Sequence, residues 1–357
     1  MKFFPTRLLS IVMSAAGTII TFLKKFKQQK IYTFFLMFTV GLALTLAVFA
    51  CSPTTSNSGT TQTTQTANNT VIRIGYQKAS TILYALKANA NLEKVFAASG
   101  ASVTWSEFPA GPPMLEALNA GSIDFGYTGE SPPIFAQAGG IPLVYVAYDP
   151  WSPKAEAILV PKDSPIKNVA ELKGKRVAFA KGSNANYLLV KALEKAGLKY
   201  SDIQPKTLAP ADARGAFESK NVEAWAIWDP YLAAAEAATG ARTLTDGTGL
   251  APNRGYYLAA KSFVDTKPDA LKTILDEVKK TSDWAKSNSS DVAKLLSPAL
   301  GIDAPVLEIA EKRREYDVLP LTDEVISKQQ EVADTFYKIK LIPKEIKVKE
   351  IVWQNNK

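Results

Sequence analysis

The chain has no histidine and one cysteine among its 357 residues. Without histidine there is no Ser-His or Cys-His catalysis and no imidazole metal ligand. One cysteine excludes an internal disulfide, a thiolate zinc site and a CxxC redox pair. No GxxxxGK(S/T) or GxGxxG run is present, which disfavours phosphate-loop and dinucleotide binding. No metal or cofactor is expected. Acidic residues are missing from the first fifty positions, which hold Lys2, Arg7, Lys24, Lys25, Lys27 and Lys30. Removing those six from the 42 basic residues leaves 36 against 34 acidic ones, so the formal +8 falls to +2 from residue 51 onward. The basicity belongs to the leader. No later basic run carries interleaved aromatics, so nucleic acid is not an expected partner.

What is present begins with that leader. A lysine-rich stretch, Lys24 to Lys30, precedes an uncharged apolar run from Ile31 to Ala50. A basic flank, an apolar centre and small residues near the end make a secretory signal, which places everything downstream outside the cytoplasm. About twenty apolar residues also suffice for a retained transmembrane anchor, and that alternative stays open. A second apolar stretch, Leu8 to Leu23, precedes the basic flank and fits a start codon assigned too early. From Ser52 to Thr70 the chain is Ser, Thr, Gln, Asn and Gly apart from Pro53 and Ala67, with almost nothing to bury, and is expected to be a disordered linker.

The body, residues 71–357, alternates strand and helix. Val71–Tyr76, Ser102–Glu107, Ile123–Tyr127, Leu143–Tyr148, Arg176–Ala180, Ile203–Leu208 and Glu223–Trp228 read as strands. Helical spacing follows at Thr81–Ser99, Met114–Asn119, Ile134–Ala138, Tyr187–Ala196, Ala211–Ser219 and Tyr231–Ala238. That rhythm predicts an α/β body with mostly parallel sheets covered by helices. From Lys261 onward only helical spacing remains, in Ala270–Lys286, Asp291–Leu300, Pro305–Tyr316 and Asp323–Lys338. Two crossings between lobes are expected, at Ala155–Val160 and in the turn-rich Thr245–Gly249 before strand-like Gly255–Ala260. Residues 71–155 and 255–357 then form one lobe and 156–254 the other. Ligands in such folds bind at the C-terminal edges of parallel strands, in the crevice between lobes.

Three strand-to-helix junctions share one grammar. Phe108-Pro109-Ala110-Gly111-Pro112-Pro113, Thr128-Gly129-Glu130-Ser131-Pro132-Pro133 and Lys181-Gly182-Ser183-Asn184 each combine glycine with a helix-opening proline, hydroxyl or amide. Each alone is an ordinary helix start. Together, helix N-termini with free N–H groups are able to converge on one small anion. Aromatics near the same edges offer an apolar wall, with Trp228 first and Tyr148 and Tyr257 after it. Trp225, three residues earlier on an alternating strand, faces the other way and is expected in the core. Asp229 is expected to cap the helix after it. If it or Glu130 faces the crevice, an amine-bearing ligand gains a partner.

Several segments carry a family resemblance. Val48-Phe49-Ala50-Cys51 resembles a bacterial lipobox, with Cys51 where a lipid would be attached. Gly75-Tyr76-Gln77-Lys78, Glu107 to Pro112, Gly121-Ser122-Ile123-Asp124, Pro132 to Ala138, Lys181-Gly182-Ser183, Pro210 to Arg214 and Trp225-Ala226-Ile227-Trp228-Asp229-Pro230-Tyr231 resemble the periplasmic aliphatic-sulfonate-binding proteins of ABC transporters. The resemblance runs collinearly from Ile72 to Trp353. It implies a two-lobed, type II periplasmic-binding-protein fold that closes over an organosulfonate and delivers it to a permease and its ATPase subunits. It implies a monomer tethered to the membrane by lipid, and no enzyme. The ligand-binding candidates are Gln77, Gly111, Pro112, Thr128, Gly129, Glu130, Ser131, Lys181, Gly182, Ser183, Asn184, Arg214, Trp228 and Asp229. The family usually has aspartate after the Thr-Gly turn, where this chain has Glu130. Relatives binding taurine, nitrate or thiamine precursors, and a sensor lipoprotein of the same fold, remain alternatives. The nitrate-selective relatives and the related thiamine-precursor enzyme use a histidine, which this chain lacks.

Overall fold

The structure is a computed structural model that describes residues 70–78 and 80–354. The leader, Cys51 and all of the linker but Thr70 lie outside the described residues.

Strand and helix alternate from the start. The strands are β1 (Val71–Gln77), β2 (Ser102–Phe108), β3 (Phe125–Gly129), β4 (Leu143–Tyr148), β5 (Glu156–Val160), β6 (Arg176–Phe179), β7 (Gln204–Thr207), β8 (Ala224–Trp228), β9 (Arg242–Asp246) and β10 (Gly255–Ala260). The helices between them are α1 (Thr81–Ala88), α2 (Asn91–Ala97), α3 (Gly111–Asn119), α4 (Ser131–Ala138), α5 (Asn184–Lys195), α6 (Pro210–Glu218) and α7 (Tyr231–Thr239). After β10 come α8 (Lys261–Thr266), α9 (Pro268–Ser287), α10 (Ser289–Leu300), α11 (Ala304–Glu311) and α12 (Asp323–Lys338).

The strands divide between two five-stranded sheets, ordered β2-β1-β3-β10-β4 and β7-β6-β8-β5-β9. In each sheet one strand opposes the other four. β10 pairs antiparallel with β3 and β4, and β5 pairs antiparallel with β8 and β9. These are the first strands laid down after each crossing of the chain. The sheets are therefore mixed, with a parallel half where βα units run in sequence.

Four features differ from the sequence-based expectation. The helix expected over Thr81–Ser99 is two helices, broken at Ala90, whose φ of 51° lies in the left-handed region. The Asn-Ala-Asn run there carries apolar spacing through a turn, so periodicity alone does not reveal the break. Thr245 and Asp246 are not free turn residues but the end of β9, an edge strand pairing Thr245 with Ile158. β5 lies wholly in the second sheet, which makes residues 149–155 the first connecting segment. Finally, α11 ends at Glu311 rather than Tyr316. Beyond it Tyr316 is buried against Glu311, and Arg313 and Arg314 turn toward Asp229, contacts that outweigh helical continuation.

Apolar burial holds the two sheets in one body. Ile72, Ile74 and Phe125 of the first sheet and Ile158, Val177 and Phe179 of the second are fully buried in one continuous core. A separate cluster behind the second sheet contains Leu159, Phe217, Trp225 and Ile227. Trp225 is a core residue, its ring 5.8 Å from that of Phe217. α12 spans the junction, since Phe336 packs edge-on against Phe135 of α4 at 4.9 Å and Tyr187 of α5 at 5.7 Å.

Candidate functional site

A polar-lined cleft lies where the C-terminal ends of β1 and β3 meet the start of α5 and the end of β8. Its free space, including the part open to solvent, is about 700 Å³. Of the residues nominated from sequence, Gln77, Gly111, Gly129, Ser183, Asn184 and Trp228 line it. Pro112, Thr128, Glu130, Ser131, Lys181, Gly182, Arg214 and Asp229 do not.

Hydrogen bonding explains much of that division. The Thr128 hydroxyl donates to its neighbour's carbonyl, Gly129 O, at 2.9 Å. Ser183 caps α5, with its Oγ accepting from Asn186 N at 3.3 Å and donating to Ala180 O at 2.7 Å. The Gly182 N–H donates to Asn186 Oδ1 at 3.1 Å. Gln77 Nε2 donates to Tyr127 O at 2.9 Å, which ties β1 to β3. Arg214 pairs with Glu218 one turn along α6 at 2.7 Å, on the surface, and Lys181 is exposed. Asp229 accepts from Ala233 N at 3.0 Å, steadying the start of α7, and pairs with Arg313 at 3.4 Å.

Asn184 is the crossing point of the cleft. Its Nδ2 donates to Glu130 Oε2 at 2.7 Å and to Asn253 Oδ1 at 3.0 Å, while its Oδ1 accepts from Ser131 N at 3.2 Å. One side chain from the second sheet's first helix thus grips the turn after β3 of the first sheet. Glu130 is fully buried and also accepts from Arg254 N at 2.7 Å. Burial raises its pKa to about 8, against the pull of those N–H donors and of Arg254. Neither Glu130 nor Asp229 faces the cleft, so neither is placed to meet a ligand's amine.

Several cleft residues carried no signal in the sequence reading: Ser80, Tyr127, Asp149, Asn253, Arg254 and Arg314. Asp149 follows β4, and its carboxylate accepts from Gly255 N at 2.6 Å and from the Tyr127 hydroxyl. Burial lifts its pKa to about 6, and Tyr127, the Gly255 N–H, Arg314 and Arg254 hold it from rising further. The Arg254 guanidinium lies over the Tyr148 ring at 4.8 Å and the Trp151 ring at 5.1 Å, a cation–π stack joining the two connecting segments. Tyr148 therefore supports an arginine, and Tyr257, 1% exposed, belongs to the core. Ser80 and Asp149 stand just past strand C-termini, where the general rule for open α/β sheets would have found them. Arg254 and Arg314 lie in aperiodic segments that offer no such cue.

Comparison with known proteins identifies the relationship. A family model described as NMT1/THI5 like matches residues 90–291. The chain belongs to this family. Within it, the chain is 47% identical over 284 residues to the aliphatic sulfonates-binding protein of Escherichia coli (strain K12), covering 79% of this chain and 88% of that one. A Bacillus subtilis (strain 168) protein of the same description is 36% identical, covering 79% and 85%. The alkanesulfonate-binding protein of Xanthomonas axonopodis pv. citri bound to MOPS superposes with a TM-score of 0.76 at 42% identity, covering 79% of this chain and 98% of that one. The periplasmic aliphatic sulphonate binding protein of Escherichia coli gives 0.73 at 46%, covering 80% and 92%. The NMT1/THI5-like chain thus has a periplasmic-binding-protein fold, and these relatives are binding proteins. The desulfurization enzyme DSZB shares the fold alone, at 14% identity and a TM-score of 0.58.

Proposed function

We propose that this protein is the substrate-binding subunit of an ABC importer that captures aliphatic sulfonates and hands them to the permease. The observation that carries the reading is the cleft itself. It places two arginines, Arg254 and Arg314, and two acidic residues, Asp149 and Glu315, on one lining beside Trp228 and Pro132, with both guanidinium groups close enough to Asp149 to hold its pKa down. A sulfonate is a permanent anion at physiological pH and needs donors and positive charge rather than a base; its tail needs an apolar wall. Micromolar affinity requires only about 8 kcal/mol net, which a few charge-assisted hydrogen bonds and a buried tail supply after ordering costs. The names of the relatives agree with that chemistry.

In this reading residues 71–155 and 255–357 form one lobe and 156–254 the other. The lobes hinge on residues 149–155 and 247–254, and closure over ligand presents the permease with its docking surface. The two segments are cross-tied by Ser152 N to Pro252 O at 3.2 Å and Asn253 Nδ2 to Ser152 O at 2.9 Å, which supports a paired hinge. The protein acts as a binder without chemistry of its own. It works as a monomer, exported and tethered through lipid on Cys51 with residues 52–70 as a leash.

The test is genetic. Deleting the gene should abolish growth on an alkanesulfonate as sole sulfur source while leaving growth on sulfate intact. Normal growth on alkanesulfonates in the deletion strain, with no second binding protein present, would contradict the transport role.

A further inference from the structure

The sides of the cleft meet through charge as well as through Asn184. α11 belongs to the C-terminal helical third, and it packs on α7, which follows β8 of the second sheet. Just past the end of α11, the Arg313 guanidinium reaches two carboxylates of that second side. Its Nη2 donates to Glu236 Oε2 at 2.7 Å, and its Nη1 lies 3.4 Å from both carboxylate oxygens of Asp229. Beside it Arg314 donates to Asp229 O. Glu236 is held in place, since its other oxygen accepts from the Thr243 hydroxyl at 3.0 Å.

These pairs differ from those along the outer helices. Lys261–Asp265, Lys272–Asp276 and Lys294–Asp291 join neighbours one turn apart, with every partner more than half exposed. Such pairs contribute little. Arg313 is 24% exposed, Glu236 28% and Asp229 fully buried, and the contact joins residues 77 and 84 positions apart. Burial lifts the Asp229 pKa to about 6 against the pull of Arg313 and Arg314, which leaves it ionised at neutral pH. Solvent screens such charges less, so each attraction is stronger.

Apolar packing adds little at this contact. Five of the nine residues of α7 are alanine. Leu232 and Ala235 turn into the cluster behind the second sheet, and Ala234 alone joins the continuous core that holds Leu307 of α11. An alanine buries far less apolar area than a leucine, so parting α7 from α11 costs little besides the ion pairs. The contact also adjoins the ligand space. Trp228 precedes Asp229, Arg314 and Glu315 follow Arg313, and all three line the cleft.

We propose that Arg313 latches the cleft: its ion pairs with Glu236 and Asp229 hold the lobes together over a bound ligand and set how long it stays. Arg313 is a positioning residue and touches no ligand. The closed form has these pairs and the open form lacks them, so they slow release and leave capture by the open form unchanged. The inference rests on the two-lobed sulfonate-binding reading above.

Stopped-flow mixing with ethanesulfonate, followed by tryptophan emission and paired with calorimetric Kd values, separates capture from release. Glu236→Gln keeps the size of the side chain and the acceptor for Thr243 and removes the charge. It should speed release by about 5-fold, raise Kd by the same factor and change the association rate less than about 2-fold. Arg313→Gln should speed release at least as much; it leaves the buried Asp229 with Arg314 alone, and a thermal melt checks that it folds. The double variant should release no faster than Arg313→Gln, because both substitutions break one interaction. A purely structural contact would lower the melting temperature without separating release from capture. Release from Glu236→Gln at the wild-type rate, or effects of the two substitutions that multiply, overturns the latch and leaves the sulfonate reading intact. Failure of the unmodified protein to bind ethanesulfonate or longer alkanesulfonates overturns both.

Discussion

Asn184 fills the space that a side chain at Gly129 would need. A Cβ at Gly129 would collide with all three terminal atoms of the Asn184 carboxamide, so glycine here is required by close approach rather than by a turn. The contact joins the first helix of the second sheet to the turn after β3 of the first. Through Asn184 it ties the start of α5 to Glu130, Ser131 and Asn253.

Gly129→Ala should therefore force the two sides apart. We expect at least a 10-fold loss of sulfonate affinity and a lower melting temperature, of the size typical of overpacking, about 1–3 kcal/mol. Titration and a thermal melt check this. Unchanged affinity would mean that closure does not need the Asn184 contact.

Glu130 makes stability depend on pH. Its pKa in the folded protein, about 8, lies above the ordinary 4.5. Its contribution is thus fully present below pH 4.5 and lost as pH rises through about 8, at a rate of up to about 1.4 kcal/mol per unit. Glu130→Gln keeps the size of the side chain and removes the titration. The variant should gain on the wild type steadily from pH 5 to pH 8 in thermal melts. A difference independent of pH would contradict the neutral, buried carboxyl.

Trp228 sets tail affinity in this account. Trp228→Ala should weaken octanesulfonate binding by about 10-fold more than methanesulfonate binding, because only the longer chain reaches the indole and each buried methylene contributes about 0.8 kcal/mol. Equal losses for both ligands would place the tail elsewhere.

Phe336 ties α12 to α4 and α5. It is fully buried, and Phe336→Ala should cost about 3–5 kcal/mol in chemical unfolding. A loss below about 1 kcal/mol would show that α12 is peripheral.

The alternation of strand and helix was readable because each element carries its own period between glycine and proline punctuation. The breaks at Ala90 and Glu311 were not, since neither depends on local pattern. The same contrast runs through the site. Gln77, Gly111, Gly129, Ser183 and Trp228 reach the cleft because they sit at strand ends or helix starts, where the fold places ligands. Arg254, Arg314 and Asp149 come from connecting segments, and only the folded chain brings them together. Asn184 was readable as a cleft residue, but its bond to the buried Glu130 was not. Nothing in the sequence shows that the turn after β3 and the start of α5 meet.

The most direct measurement is calorimetric titration of the purified protein with ethanesulfonate, with nitrate and sulfate as parallel ligands, after unfolding and refolding to remove carried-over ligand. The account predicts micromolar binding of ethanesulfonate with nitrate and sulfate silent. Binding of nitrate or sulfate at equal strength, or silence toward every alkanesulfonate, would contradict it.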